Sequence, residues 1–182
     1  MPDGKTSSLR RADSEFHMSL ATIMLEQLAA ARRIVEDGHE MVPAWRIATA
    51  EGTFLILPRL DTENIEQRDR ALFLISRFMA WKMAASFVLT AETWLGAEKT
   101  GYGDEVLLAI GVSHHERLAV LQRIQRGKAL GFHKQQWLQP YQVDAAYFGM
   151  LPKGTTEVTS EEVAELARIF GKNGDLRAQR LS

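Results

Sequence analysis

The sequence contains no cysteine, and this absence removes several classes of function at once. Without a thiol, the chain has no cysteine nucleophile, no thiolate ligand for a metal and no disulfide framework. Its core must therefore be held by packing. A chain of 182 residues is long enough for this, because a domain of that size buries roughly two thirds of its unfolded surface.

Neither sign of charge predominates, and long apolar runs are also missing. The 22 Lys and Arg residues nearly balance the 23 Asp and Glu residues, so the formal net charge is −1 and no overall field attracts nucleic acid or membrane. The first apolar stretch, residues 20–25, ends at Glu26. It is shorter than a signal-peptide core and than the ~20 residues that span a bilayer. We therefore expect a cytoplasmic protein with no membrane partner.

Two long helices and a shorter C-terminal helix are predicted from apolar residues spaced three or four positions apart. The first covers residues 14–37. The second starts after Asp61, a residue type that caps helix N-termini, and continues towards the next strand. The third starts with Thr159 and Glu162, which have the spacing of a capping box, and ends at Gly171.

Alternating apolar and polar residues predict the strands. They cover residues 44–50, 53–57, 86–95 and 105–113. The first two form a hairpin, because Gly52 readily adopts the positive φ of a tight turn. Residues 116–126 fit both a helix and a strand, and the strand is preferred because residues 129–138 look like the second half of a hairpin.

This order of elements predicts a single α+β domain over residues 13–171. We expect two layers, namely an antiparallel meander of about five or six strands, including the N-terminal hairpin, and two long helices that cover one face of it, with the C-terminal helix added. Residues 1–12 and 172–182 are predicted to be flexible tails. The absence of regular strand–helix alternation argues against a doubly wound parallel sheet.

The candidate for acid–base catalysis is Glu92, on the same strand face as Thr90 and Trp94. A carboxylate that is partly buried beside an aromatic ring has a raised pKa and can act as a general acid or base. Three carboxylates close in sequence extend it into a candidate site for a divalent ion: Glu98, Asp104 and Glu105. The alternative, which is the commoner role of a strand carboxylate, is a pair with an arginine or lysine on the neighbouring strand.

The densest group of potential metal ligands is His114, His115 and Glu116. Neighbours in a strand point to opposite faces, so the three can converge on one ion only in a turn. Their spacing is not that of a helical HExxH site. The alternative is a solvated turn between two strands, and we expect no metal and no other cofactor.

The stretch that follows is locally basic and contains aromatic side chains. Arg117 and Arg123 share one strand face, and His133 and Trp137 share another, as in platforms that bind phosphate-bearing or single-stranded partners. Arg126 falls on the face opposite to Arg123 and divides the patch. A solvated outer sheet face is therefore preferred.

The segment LTAETW, residues 89–94, follows a hairpin and a helix. In this respect the chain resembles small uncharacterised bacterial and phage-like proteins that carry a strand ending in Glu-x-Trp. The resemblance covers residues 16–138. It implies a similar fold and carries no assigned activity.

Three functions are compatible with these features. A non-catalytic interaction or scaffold protein, which self-associates as a homodimer or binds another protein, is preferred because the helices are amphipathic and no reaction centre is recognised. The first alternative is a metal-assisted hydrolase or nuclease that uses Glu92 with the His114–Glu116 turn, and it requires these side chains to converge. The second is nucleic-acid binding through the basic strands of residues 117–134, which is not favoured and would be sensitive to salt.

Overall fold

The computed structural model describes residues 18–58, 64–95, 104–153 and 156–181. Within these ranges the helices are α1 (Leu20–Glu36), α2 (Ile65–Trp81), α3 (Ala145–Phe148) and α4 (Ser160–Phe170), and a single 3₁₀ turn covers Pro140–Gln142. The strands are β1 (Ala44–Thr49), β2 (Gly52–Ile56), β3 (Ser86–Leu95), β4 (Asp104–Ser113), β5 (Arg117–Arg126), β6 (Leu130–Phe132), β7 (Gln136–Leu138) and β8 (Ala178–Leu181). None of the described helices is long and apolar enough to cross a membrane.

All eight strands belong to one antiparallel sheet, in the order β6-β5-β4-β3-β1-β2-β8, with β7 also paired to β5. The chain leaves the β1–β2 hairpin through α2 and returns to place β3 beside β1. The antiparallel α+β class is confirmed, and residues 117–126 form the preferred strand. The number of strands is higher than predicted, because the expected strand over residues 129–138 is divided into β6 and β7 and the C-terminus adds β8.

The C-terminal segment is held by the sheet. The prediction of a flexible tail over residues 172–182 is wrong for β8, which pairs with β2. After α4, Leu176 is buried, and its N–H donates to the carbonyl of Ile169. Four residues are too few for a strand pattern to be recognised, and it is the open edge of β2 that orders them. The predicted tail over residues 1–12 lies outside the described residues.

Helices cover both faces of the sheet, so the domain has three layers where two were predicted. α1 packs on one face, which we call the α1 face, against β3, β4 and β5. On the other, the α2 face, α2, α3 and α4 share one core with the strands. Val88 lies in the first core, whereas Phe87 and Leu89 lie in the second. β4 carries apolar residues at both alternate positions, a pattern typical of strands that are buried on both sides.

The N-termini of the three longer helices are capped by side chains. The Ser19 side chain caps α1 by accepting from the Thr22 N–H, and Asn64 caps α2 in the same way. The predicted cap Asp61 lies outside the described residues. Thr159 caps α4 as predicted. Glu162, however, does not complete a capping box, because its carboxylate pairs with Arg77 of α2 and joins the two helices.

α1 approaches the sheet closely at Gly111 of β4. A Cβ at this position would lie 2.4 Å from the Sδ of Met24 and 3.0 Å from the Cγ of Leu20. Both neighbours are buried in the core of the α1 face. The missing side chain of Gly111 is therefore what permits this contact.

We predict that Gly111→Ala lowers the free energy of unfolding by about 1–3 kcal/mol, because the added methyl group pushes α1 away from β4. Denaturant titration measures this loss. Gly131→Ala in β6 is the matched control, since a Cβ there would have its nearest neighbour at 3.7 Å, and we expect a change of less than about 0.5 kcal/mol. Equal losses in the two variants would contradict the close approach.

Candidate functional site

The structure does not bring Glu92 and the His114–Glu116 turn together. Glu92 faces Leu107 in the β3–β4 ladder, whereas Ser113, at the start of the turn, faces Ser86. The two places are therefore separated by most of the length of β3, about 20 Å at ~3.3 Å per residue. The hydrolase or nuclease site expected from these residues is not formed.

The His114–Glu116 segment is a solvated turn between β4 and β5. The Ser113 Oγ accepts from the N–H groups of His115, at 3.2 Å, and of Glu116, at 2.9 Å, so the hydroxyl shapes the turn. All three side chains of the segment are exposed. Among the described residues, no three His, Asp or Glu side chains lie close enough to hold a metal ion. Glu98 lies outside those residues.

Two of the three arginines of β5 are paired with carboxylates, on opposite faces of the sheet. Arg123 contacts Asp104 at 3.0 Å, and Arg126 contacts Glu105 and Glu92. Arg117 is exposed at the start of β5. The division of the patch is as predicted, and these ion pairs reduce the positive charge available to a phosphate.

His133 and Trp137 do not share a strand face, contrary to the prediction. His133 lies between β6 and β7, where its N–H donates to the carbonyl of Arg123 and its own carbonyl accepts from the Gln122 amide at 2.8 Å. Trp137 lies in β7, opposite Val120 of β5, and is partly exposed. The predicted shared face assumed one continuous strand, in which every second side chain points to the same side. The break between β6 and β7 interrupts this alternation.

Two carboxylates and one guanidinium meet on the α1 face, and we call them the carboxylate pair (Glu92 and Glu105) and its arginine, Arg126. Arg126 donates from Nε and Nη2 to the two oxygens of Glu105, at 2.6 and 2.5 Å. The same Nη2 donates to Glu92 at 3.1 Å. Glu92 also accepts from the Met41 N–H at 3.5 Å, which connects the segment before β1 to β3. The predicted cross-strand pairing of Glu92 is thus present, with an arginine two strands away.

Their different surroundings move the two pKa values in opposite directions. Burial raises the pKa of Glu92, and a hydrogen bond from its protonated form to Glu105 raises it further. The bidentate hydrogen bonds from Arg126 hold the pKa of Glu105 below its ordinary value. Of the two carboxylates, Glu105 is therefore the more readily ionised, and it lies against the positive charge of Arg126.

An apolar cavity of about 450 Å³ opens on the α2 face beside the same end of β3. Its walls include Trp45, Leu72, Leu89, Leu108, Ile110 and Tyr147. The register explains where it lies: the β1–β3 ladder ends at the Ala44–Thr90 pair, although β3 continues to Leu95. Pro43 precedes β1 and lines the cavity, and a proline has no N–H with which to continue the ladder. The cavity therefore lies where β3 extends beyond β1.

One buried polar group of Trp45 has no partner. Trp45 lines the cavity and is only 2% exposed, and its buried indole Nε1 has no hydrogen-bond partner among the described residues. Buried indole N–H groups are normally paired, because an unpaired donor loses its bond to water without replacement.

Sequence reasoning found the rim of this cavity and missed its walls. Glu92 and Trp94 line it, but the walls come from β1, β3, β4, α2 and the segment around α3, which are far apart in sequence. Only the register and the position of α2 bring them together. The sequence signal that could have indicated the cavity is Pro43. It lies directly before β1, and β3, the strand that pairs with β1, was predicted to be longer than β1.

The opposite pKa shifts of the carboxylate pair predict how the stability of the fold depends on pH. The lowered pKa of Glu105 means that its ion pair stabilises the fold at neutral pH and that this contribution is lost as the pH falls through the lowered value. The raised pKa of Glu92 means that its contribution is complete in acid and decreases as the pH rises through the raised value.

We therefore expect Glu105→Gln to lower the free energy of unfolding at neutral pH by about 1 kcal/mol and to have little effect in acid. The loss is small because Arg126 is about half exposed, so solvent screens the ion pair. The control is Glu92→Gln, which removes the less favoured charge and is expected to leave the neutral-pH stability unchanged or higher. Urea unfolding of both variants at several pH values measures these effects. A larger loss from Glu92→Gln at neutral pH would contradict the assignment of the charge to Glu105.

Comparisons of the chain with protein-family models, with curated proteins and with solved structures found no match. The resemblance to bacterial and phage-like proteins therefore remains a prediction.

Proposed function

We propose that this is a non-catalytic binding protein that holds a small, largely apolar molecule in the cavity on the α2 face. The observation that carries the proposal is the apolar wall of this cavity around Trp45. At about 450 Å³ the space falls within the roughly 300–1,000 Å³ typical of small-molecule sites. Such sites combine apolar walls with a few polar groups that orient the ligand.

The charged groups of the wall support binding over catalysis, because each has a partner. Glu92 lines the cavity only from the edge of β3, since its carboxylate accepts from Arg126 on the α1 face, and Asp144 accepts from the Ala146 N–H at 2.9 Å as the cap of α3. Arg68 contacts Asp69 at 3.2 Å. A nucleophile or general base needs a free group aimed at the substrate, and these three already serve the fold.

The apolar walls also set the expected affinity. A compact ligand that buries on the order of 200 Å² of apolar surface gains roughly 5 kcal/mol at 25 cal/mol per Å². Part of this is lost to the entropy of association, so a fragment should bind with a Kd on the order of 1 mM. Binding experiments therefore need millimolar ligand.

We predict that millimolar toluene, a compact hydrocarbon, raises the melting temperature of the protein, because a ligand that binds only the folded state stabilises it. Ala91 lines the cavity and is half-buried, so Ala91→Leu should fill part of the space and abolish most of the shift. Ala80→Leu is the matched control, because Ala80 is half-buried at a different depression, beside Met83. Differential scanning calorimetry measures the shifts, and an unchanged melting temperature of the wild-type protein would refute the proposal.

Self-association is a second proposal, supported by a different surface. α1 packs on β3, β4 and β5, and no comparable helix contact covers the α1 face of β1, β2 and β8 within the described part of the chain. Leu55 and Leu181 are only half-buried on that face, and Leu57, directly after β2, is 51% exposed. We infer that this open face packs on the same face of a second copy, as in a twofold homodimer. Pairing with a different protein, and a cytoplasmic location, remain predictions.

Leu55→Lys should dissociate such a dimer, because it places a charge at the centre of the open face. Sedimentation velocity over a range of concentrations measures the change from dimer to monomer. Ile65→Lys on α2 is the control, since Ile65 is an exposed apolar residue in a different layer, and the dimer should be retained. A wild-type protein that sediments as a monomer at every concentration would refute self-association through this face.

A further inference from the structure

The last five residues of β3 have a strand partner on one side only. We propose that the free edge, residues 91–95, binds an extended peptide of another protein as an added antiparallel strand, and that alternate apolar side chains of this peptide enter the cavity. The inference goes beyond the proposed function, which concerns a small molecule, and shares with it only the cavity.

The free edge begins where β1 stops. The last pair of the β1–β3 ladder is Ala44 and Thr90, and residues 91–95 pair only with β4 within the described ranges of the chain. The chain before β1 does not continue along β3, because Met41 is buried in the core of the α1 face. One side of residues 91–95 is therefore left without a neighbouring strand.

The backbone groups that point to the free edge are those of Glu92 and Trp94. The Ser113 N–H donates to the carbonyl of Glu116 in the β4–β5 hairpin, so every second residue of β4, counted from Ser113, bonds to β5 and the others bond to β3. Through the β3–β4 register, Thr93 bonds to β4, and its two neighbours direct their N–H and C=O groups away from β4. Among the described residues these groups have no backbone partner. Such unpaired groups are a template for a further strand.

The cavity reaches this edge. All five residues of the free edge line it, although the side chains of Glu92 and Trp94 lie on the α1 face, so these two contribute through the strand edge itself. In a strand added here, every second side chain lies on the α2 face, where the walls of the cavity are apolar. The fitting peptide therefore has apolar residues at alternate positions.

Two large apolar side chains of the free edge remain exposed to solvent. Trp94 is 59% exposed on the α1 face, and Leu95 is 37% exposed on the α2 face. A strand that covers the edge removes part of both from water, and tryptophan is among the residues that contribute most when buried at an interface. The peptide thus gains apolar contacts on both faces in addition to main-chain hydrogen bonds.

The probe is acetyl-Thr-Val-Thr-Val-Lys-amide, in which the lysine provides solubility. In an antiparallel strand whose valines enter the cavity, the threonine N–H groups face β3 and the valine N–H groups face solvent. N-methylation of both threonines removes donors to β3, so we expect it to weaken binding by roughly tenfold or more. N-methylation of both valines is the matched control and should retain the affinity. Isothermal titration calorimetry with millimolar peptide measures the three affinities.

Hydrogen exchange followed by NMR locates the peptide on the wild-type protein. The amides of Glu92 and Trp94 should exchange several-fold more slowly when the peptide is bound, because they then donate to its carbonyls. The amide of Thr93 is the internal control, since its bond to β4 is present with and without peptide.

A variant of the protein tests whether the side chains enter the cavity. Ala91→Leu fills part of the space beside the free edge and should weaken the unmethylated peptide by roughly tenfold. Ala80→Leu, at the separate depression beside Met83, should leave the affinity unchanged. Equal affinities for the two variants would refute the entry of the side chains into the cavity.

The outcomes separate this inference from the proposed function. If toluene raises the melting temperature and the peptide does not bind, the proposed function stands and the added strand is refuted. If the peptide binds and toluene has no effect, the added strand stands and the small-molecule proposal fails. If both methylated peptides bind as tightly as the parent, or if the Glu92 and Trp94 amides gain no protection, the peptide does not pair with β3 and the inference is overturned.

Discussion

The pairing of β3, β4 and β5 is the interaction on which the rest of the structure depends. These three strands have ten residues each and are paired along most of their length, and β3 and β4 bury residues on both faces. A sheet with two apolar faces is unstable in water unless both are covered, which explains why α1 and α2 lie on opposite sides. The contact at Gly111, where a Cβ would meet Met24, shows how tightly α1 packs on these strands.

The local elements were largely predictable, because their signals lie within a few residues of one another. The alternation along β3, the glycine of the β1–β2 turn and the Thr159 cap are each readable from one short segment, and each is present in the structure. The placement of α1 on the second face was missed for a different reason. The apolar stripe of α1 shows that one side of the helix is buried. It does not show which face of the sheet buries that side.

The candidate site was less predictable, since it depends on register and on crossing elements. The alternation of side chains along β3 correctly placed Glu92 on the same face as Thr90 and Trp94. Only the strand pairing shows that Glu105 and Arg126 reach the same point. The His114–Glu116 group failed as a partner because it lies at the opposite end of β4. The walls of the cavity were harder still to predict, because they also depend on the path of α2 and of the segment around α3 across the sheet.

The register of β1 has a consequence for how this protein is able to change over evolution. Trp45 faces the cavity, while its neighbours Ala44 and Arg46 belong to the opposite face of the sheet. Insertion or deletion of one residue before β1 that slipped the strand by one position would replace the indole with a methyl group or a guanidinium and would bury the wrong residues in both cores. The same alignment therefore determines the fold and the wall of the cavity, so divergence at this place is restricted to substitutions that preserve strand length.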